Sequence, residues 1–407
     1  MKVGVYIEGI LPTAGGGFTF QREILAALSE LKGTTHHSFV AFCAADSAET
    51  IPDLTGIPMV RLPHHPRVKS LLRQDLQRVF RAMRRRLFHN NGPSVQASAA
   101  MTSLERSARL AEVQCMWFPT ASSEPVDLPY LATVWDLQHR LQPYLPESGR
   151  REKWRQCDAY YAGHLQRASF VITGSHTGRL EVERFYQVPS DRVKVIRYPT
   201  PHFALNALPS TEPEVLRQNG IPKSYLLYPA QFWAQKNHAN LLLALQLLHE
   251  KHGLVLPAVF VGSDHGNETY IRNMVHELGL SSQVHFLGFV PLNDLVSLYQ
   301  HALALTFMSF FGPDNLPPLE AFALGCPVIA SDISGAREQY GDAALLVDPK
   351  SPERIAAAIL SLYGDPLLRA TLARRGLVRA RECTRVDFVR AVFSILDEYE
   401  PIRRCWA

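Results

Sequence analysis

The chain has 407 residues, 46% of them hydrophobic and 20% charged, with a formal net charge of +4. Such a length predicts two domains of roughly 200 residues each, and the apolar content suffices for two cores. No run reaches the roughly eighteen apolar residues of a membrane-spanning helix. The cysteines at 43, 115, 157, 326, 383 and 405 show neither C-x-x-C pairs nor Cys/His ligand spacing, so they read as reduced thiols rather than a zinc site.

Lys2 to Ile7 reads as a buried strand rather than a signal peptide, so a cytoplasmic location is expected, extending to the inner face of the membrane. A glycine turn, Gly15, Gly16 and Gly17, follows it and leads into a helix over residues 21–31. Strand, turn and helix in this order open a doubly wound α/β domain. The glycines can bring backbone amides to a phosphate or simply make a tight turn. Phe20 stands where a dinucleotide fingerprint needs a small residue, so no nicotinamide cofactor is expected.

Further strands are predicted at 39–43, 116–118, Tyr130–Val134, Phe170–Thr173 and 193–196. The stretch 67–88, which opens with Arg67 and closes with Phe88, holds eight basic residues and one acidic one, a net +7. Leu72, Leu76, Val79, Phe80, Met83 and Leu87 recur there at helical spacing. This basic amphipathic helix can lie on an anionic membrane surface or pack as an ordinary exposed helix. Nucleic acid is not expected, because the patch lacks interleaved stacking aromatics. Residues 90–100 read as a polar loop. The end of the Tyr130–Val134 strand delivers Trp135, Asp136 and His139 to a sheet edge, where Asp136 or His139 can orient a substrate or serve the fold.

Prolines at 199, 201, 209, 213 and 222 mark residues 198–222 as a linker. The alternation then restarts, with strands at 225–229, Ala258–Val261, 284–286 and 303–307 and helices at 237–252, 268–278 and Leu292–His301. Residues 308–332, MSFFGPDNLPPLEAFALGCPVIASD, join a glycine-proline turn to a short helix and a buried strand. Pro317 and Pro318 suit a first helical turn, which leaves the amides around Asn315 and Leu316 to face an anion. The expected fold is α/β, two doubly wound Rossmann-like domains facing a cleft: residues 1–205, residues 206–384, and a C-terminal helix in 385–407.

Leu316-Pro317-Pro318-Leu319-Glu320-Ala321, Val284-His285-Phe286-Leu287-Gly288-Phe289-Val290 and Ala343-Ala344-Leu345-Leu346-Val347-Asp348-Pro349 together resemble the signatures of retaining family-4 glycosyltransferases, the GT-B "glycosyl transferases group 1". The resemblance is specific over residues 225–349 and weaker over the first 200. In that family a glutamate precedes a second one by eight positions; Glu320 matches the second, and Gly312 stands in place of the first. An arginine and a lysine follow the first strand of the second domain; Lys236 matches the lysine, and Gln231 stands for the arginine.

The resemblance implies a GT-B fold whose last helix crosses back onto the first domain. It implies transfer of a hexose-type sugar from a nucleotide-sugar donor to a glycan or lipid-linked acceptor, in surface polysaccharide or lipopolysaccharide synthesis, with retention of configuration. Lys236 would meet charge on the leaving phosphate, with Asp136 and His139 as further catalytic candidates. Gly16, Gly17, Gln231, Asn315 and Leu316 would hold the diphosphate, Glu320 the ribose, and the backbone of Gly288, Phe289 and Val290 the base. Asp314 beside a diphosphate would be repelled, so it should face sugar hydroxyls or cap a turn. No D-x-D occurs, and transfer without metal or other cofactor is expected. A GT-B nucleotide-sugar epimerase is the alternative, and a silent nucleotide-sugar-binding protein would fit the departures at Gly312 and Gln231.

Overall fold

The structure is a computed structural model that describes residues 1–12, 15–44, 54–63, 101–210 and 214–406. The basic stretch 67–88 and the loop 90–100 lie outside the described residues. Two all-parallel sheets organise the chain. The first runs in the order β3-β2-β1-β4-β5-β6-β7 and is built from Lys2–Ile7, Ser38–Ala44, Met59–Leu62, Cys115–Trp117, Tyr130–Val134, Phe170–Thr173 and Val193–Val195, numbered β1 to β7 along the chain. The second runs β10-β9-β8-β11-β12-β13, from Leu226–Pro229, Ala258–Val261, Val284–Gly288, Ala304–Phe307, Val328–Ser331 and Ala344–Val347, numbered β8 to β13.

Helices cover both faces of a parallel sheet, so its central strands carry almost no polar positions. β5, β6, β9, β11 and β12 are buried at every residue. The edge strand β3 has one buried residue in four, which is why the sequence pattern does not reveal it. The glycine turn is also different from expectation: the first helix starts at Gly16, with Gly15 as its N-cap at φ 69°, so Gly16 and Gly17 are its first turn.

In both sheets the winding direction reverses at the centre, between β1 and β4 and between β8 and β11. Doubly wound sheets bind ligands at that reversal, outside the carboxyl ends of the strands. Gly15 to Gly17 follow β1, residues 230–236 follow β8, and residues 308–315 follow β11. Strand order therefore places each segment at the reversal point of its own sheet, and the facing of the two domains brings all three to one cleft.

The Arg385–Arg403 helix lies across the first domain. Phe388, Val389, Val392, Phe393 and Leu396 form its buried stripe, each large side chain contributing about 1.5–3 kcal/mol. Phe388 meets Phe20 edge-on at 5.4 Å and Phe393 stacks on Phe39 at 5.5 Å. Arg385 pairs with Glu23 and Glu30 of the Gly16–Leu31 helix. A capping box of Thr384 and Asp387 starts the helix at the return point. Residues 198–222 do more than link: Tyr198 is buried and bonds the Val134 carbonyl at 2.9 Å. The His202–Leu205 helix packs against Leu316–Ala323 of the second domain.

Candidate active site

The cleft between the sheets holds a cavity of about 300 Å³. Gly15, Gly16, Gly17, Trp135 and Asp136 line it from the first domain, and Gln231, Gln235, Lys236 and residues 311–317 from the second. Two helix N-termini meet here. A Cβ on Gly16 would lie 3.5 Å from Leu316, the first residue of the facing helix, and one on Gly15 would lie 3.6 Å from Gln231 Nε2. A Cβ on Gly17 would stand 2.9 Å from the Trp135 ring, so glycine is required for that contact.

Lys236 ends a short 3-10 turn after β8. The Tyr228 hydroxyl donates to its carbonyl, fixing the turn, and its Nζ donates to Asn315 Oδ1 at 3.3 Å. The ammonium also sits 5.0 Å over the Phe307 ring. Burial pushes its pKa down to about 8, partly opposed by Asp136 and Glu147.

Asn315 explains Gly312. Gly312 has φ 125°, and a Cβ there would fall 2.5 Å from the Asn315 side-chain amide. Asn315 Nδ2 donates to the Gly312 carbonyl at 2.6 Å while its Oδ1 faces Lys236. The amide of Asn315 thus fills the space that a side chain at 312 would need. Its backbone is engaged too: the Asn315 N–H donates to Gln339 Oε1 at 3.1 Å, and Gln339 Nε2 donates to its carbonyl at 2.7 Å. The expected free amide at Asn315 is therefore taken. With prolines at 317 and 318, the helix start presents the Leu316 N–H.

The remaining candidates divide. Asp136 lines the cleft; it accepts from the Gln138 N–H at 3.0 Å, and burial raises its pKa. Asp314 also lines the cleft, 3.4 Å from Ser175 Oγ, packed on Gly174 of the first domain. Burial, with Glu338 next, pushes its carboxyl up to about 8, so at neutral pH it is largely protonated and the feared repulsion of a diphosphate is muted. Glu320 lies behind the lining rather than in it. It is buried, its Oε2 accepts from the Tyr299 hydroxyl at 2.7 Å, and burial pushes its pKa up to about 7.

His139 lies off the cleft. Its Nε2 pairs with the Tyr186 hydroxyl at 2.8 Å, its ring stacks on Tyr161, and burial lowers its pKa. Gly288 ends β10, and Phe289 and Val290 follow it on the carboxyl side of the sheet, outside the cavity, with Phe289 exposed and Val290 buried. Trp135 was not singled out by its sequence. The residue lines the cleft, and its indole Nε1 is buried without a hydrogen-bond partner among the described residues.

Direct contacts hold the domains closed around the cleft. Glu338 of the second domain accepts from the His176 and Thr177 N–H groups, at 2.7 and 3.3 Å, capping a helix of the first. Gln138 Nε2 donates to Gln235 Oε1 at 2.6 Å, and Glu147 Oε1 accepts from the Gln235 N–H at 2.7 Å.

Two facing Rossmann-like domains with the cleft at the sheets' reversal points define a GT-B architecture. Residues 212–378, most of the second domain, match the family model of glycosyl transferases group 1. The chain is 28% identical to the O-antigen chain mannosyltransferase B of Escherichia coli over 58% of its own length and 62% of that relative's. A shorter stretch, 28% of each chain, is 34% identical to the D-inositol 3-phosphate glycosyltransferase of Corynebacterium glutamicum. The chain thus spans less than two thirds of either relative. The crystal structure of Anabaena Alr3699/HepE in complex with UDP-glucose superposes with a TM-score of 0.68 over 98% of this chain and 100% of that one, at 17% identity, a likeness of fold. The relatives named are glycosyltransferases, and the epimerase reading finds no support among them.

Proposed function

We propose that the chain is a retaining glycosyltransferase that moves a hexose-type sugar from a nucleotide-sugar donor to a glycan or lipid-linked acceptor in surface-polysaccharide synthesis. The observation that carries this is the convergence of two helix N-termini and Lys236 on one cleft. The glycine-led helix start contributes about half a positive charge, and the Leu316 start, with prolines at 317 and 318, less. With the lysine they offset most of the two negative charges of a sugar-linked diphosphate. That balance supports transfer without a metal clamp. Binding of UDP-glucose by the structural neighbour and the mannosyltransferase likeness favour a nucleotide-sugar donor.

In this reading the diphosphate lies between Gly16, Gly17 and the Leu316 amide, with Gln231, Asn315 and the Trp135 indole as neutral hydrogen-bonding partners. Glu320, its Oε2 held by Tyr299, turns its other oxygen to the ribose, and Gly288 to Val290 border the base. As the bond from the sugar's anomeric carbon to phosphate breaks, one forms to the acceptor oxygen on the same face. The acceptor's proton passes to the leaving phosphate, whose charge Lys236 stabilises. The stretch 67–88, with its net +7, would bring the enzyme to an anionic surface where lipid-linked acceptors lie.

Turnover of UDP- and GDP-hexoses, followed by release of nucleoside diphosphate in excess chelator, tests the proposal. Activity should persist. Complete loss restored by a divalent ion would reject the metal-free mechanism, and no turnover with any donor and acceptor would favour a silent binding protein.

A further inference from the structure

A second cavity, of about 220 Å³, adjoins the cleft, and among the described residues Asp136 and Gln235 line both. We propose that this second cavity is the acceptor subsite, and that it takes an uncharged sugar ring, such as the end of a growing glycan, in preference to a phosphorylated polyol. The proposal rests on the donor reading of the cleft. It adds where the acceptor docks and of what chemical class it is.

Position is the first argument. A hydroxyl at the junction of the two cavities would touch Asp136 or Gln235 and face the donor's sugar end. Glu147 lines the pocket from the first domain, and Trp233 and Gln235 from the second, so the cavity is complete only when the domains are closed. An acceptor there would bind across both domains and favour the closed form.

The walls are the second. Trp154, Tyr161 and Trp233 each contribute an aromatic ring, and all three are held in place. Trp154 Nε1 donates to the His139 carbonyl at 2.6 Å, and Tyr161 stacks on His139 at 5.5 Å. Trp233 Nε1 donates to Gln231 Oε1 at 3.0 Å while its ring stacks on His265 at 4.3 Å. Large, rigid, amphipathic rings offer apolar faces to the C–H side of a sugar at little entropic cost. This also assigns His139 its work: it braces the pocket's aromatic wall.

The third argument is an unpaired acceptor. Glu147 Oε1 is satisfied by the Gln235 N–H, but its Oε2 is buried with no hydrogen-bond partner among the described residues. A buried acceptor left unsatisfied is costly, and a turn of the Glu147 side chain toward the pocket would let a ligand's donor remove that cost. A sugar hydroxyl carries such a proton. A phosphate dianion brings none, and it would lie among the carboxylates of Asp136 and Glu147, where Lys153, exposed on the outer wall, is the cation that lines the pocket among the described residues. The pocket chemistry therefore separates the two kinds of relative that the chain resembles.

Saturation-transfer NMR titrations of the full chain, with nucleoside diphosphate present, test this with methyl α-D-mannoside and methyl α-D-glucoside as neutral probes. Mannose 6-phosphate and D-inositol 3-phosphate are the charged ones. At least one neutral glycoside should bind while the phosphorylated compounds bind more weakly, and Glu147→Gln, which turns the unpaired acceptor into a donor, should weaken the neutral probe roughly tenfold. Trp233→Ala should weaken it as well. Equal or tighter binding of the phosphorylated probes, no binding by either neutral glycoside, or unchanged affinity in both variants would overturn the assignment. Nucleoside diphosphate is titrated on the same samples by calorimetry; its failure to bind would remove the donor reading, while the four sugar titrations would still decide what the pocket holds.

Discussion

Lys236 sits where burial and function oppose each other. A desolvated ammonium with a pKa near 8 is charged at neutral pH and loses its proton just above it. Turnover should therefore fall as pH rises through about 8, unless bound diphosphate holds the proton on. Lys236→Ala should lower kcat on the order of 10²–10³-fold with a smaller change in donor affinity, since the charge it meets grows during bond cleavage. Asn315→Asp would set a carboxylate beside Nζ in place of an amide oxygen now 3.3 Å away. The opposite charge favours the ammonium, so the alkaline limb of the pH–rate profile should move upward; an unmoved limb in a folded, active variant would show that another group titrates.

The place of Lys236 in the cleft was legible because it stands at a fixed place in a local motif, whereas the motif that names Glu320 puts it behind the lining. Asn315's role was not legible, because it depends on Gly312 adopting φ 125°, which lets the amide occupy the space beside it. Trp135 was hidden for a similar reason: its importance lies in a buried indole N–H without a partner, which only the folded cleft reveals. Conversely, His139 looked like chemistry in sequence because of its spacing from Asp136, and the structure engages it with Tyr186 and Tyr161.

Among the elements, strands were read closely where both faces are buried, since an unbroken apolar run is hard to mistake at that length. Tyr130–Val134 and Phe170–Thr173 match residue for residue, whereas the edge strand Met59–Leu62, with one buried residue, left no pattern. The start of the Gly16–Leu31 helix was misread because glycines are poor helix formers, but at the first turn they admit Trp135 against Gly17. The His176–Tyr186 helix yields a prediction at this level. Its Ser175 N-cap is supplemented from the other domain by Glu338. Glu338→Ala should cost roughly 0.5–2 kcal/mol, the usual range for a lost cap, and should show as weaker donor affinity if closure is what the contact supports. Unaltered donor affinity together with unaltered thermal stability would mean that the contact holds neither helix nor domains.

For the whole molecule, Asp314 couples the cleft to pH. Its carboxyl is raised from the ordinary value near 4 to about 8, so the folded state holds a proton that the unfolded state releases. The stability this contributes is full below about pH 4 and is lost as pH rises through about 8. Glu320, raised to about 7, acts in the same direction over a narrower window. Urea unfolding at several pH values should show Asp314→Asn losing less stability than the parent between pH 5 and 8; parallel curves would place the proton elsewhere. A donor diphosphate would enter a cleft whose carboxyl at 314 is already largely neutral at pH 7.

The central claim, that one diphosphate is gripped by both domains at once, is tested most directly by hydrogen–deuterium exchange with and without UDP or GDP in excess chelator. The account predicts slowed exchange together at residues 15–19, 231–236 and 312–319, the two helix starts and the Lys236 turn. Protection confined to one domain, or lying outside all three segments, would contradict it.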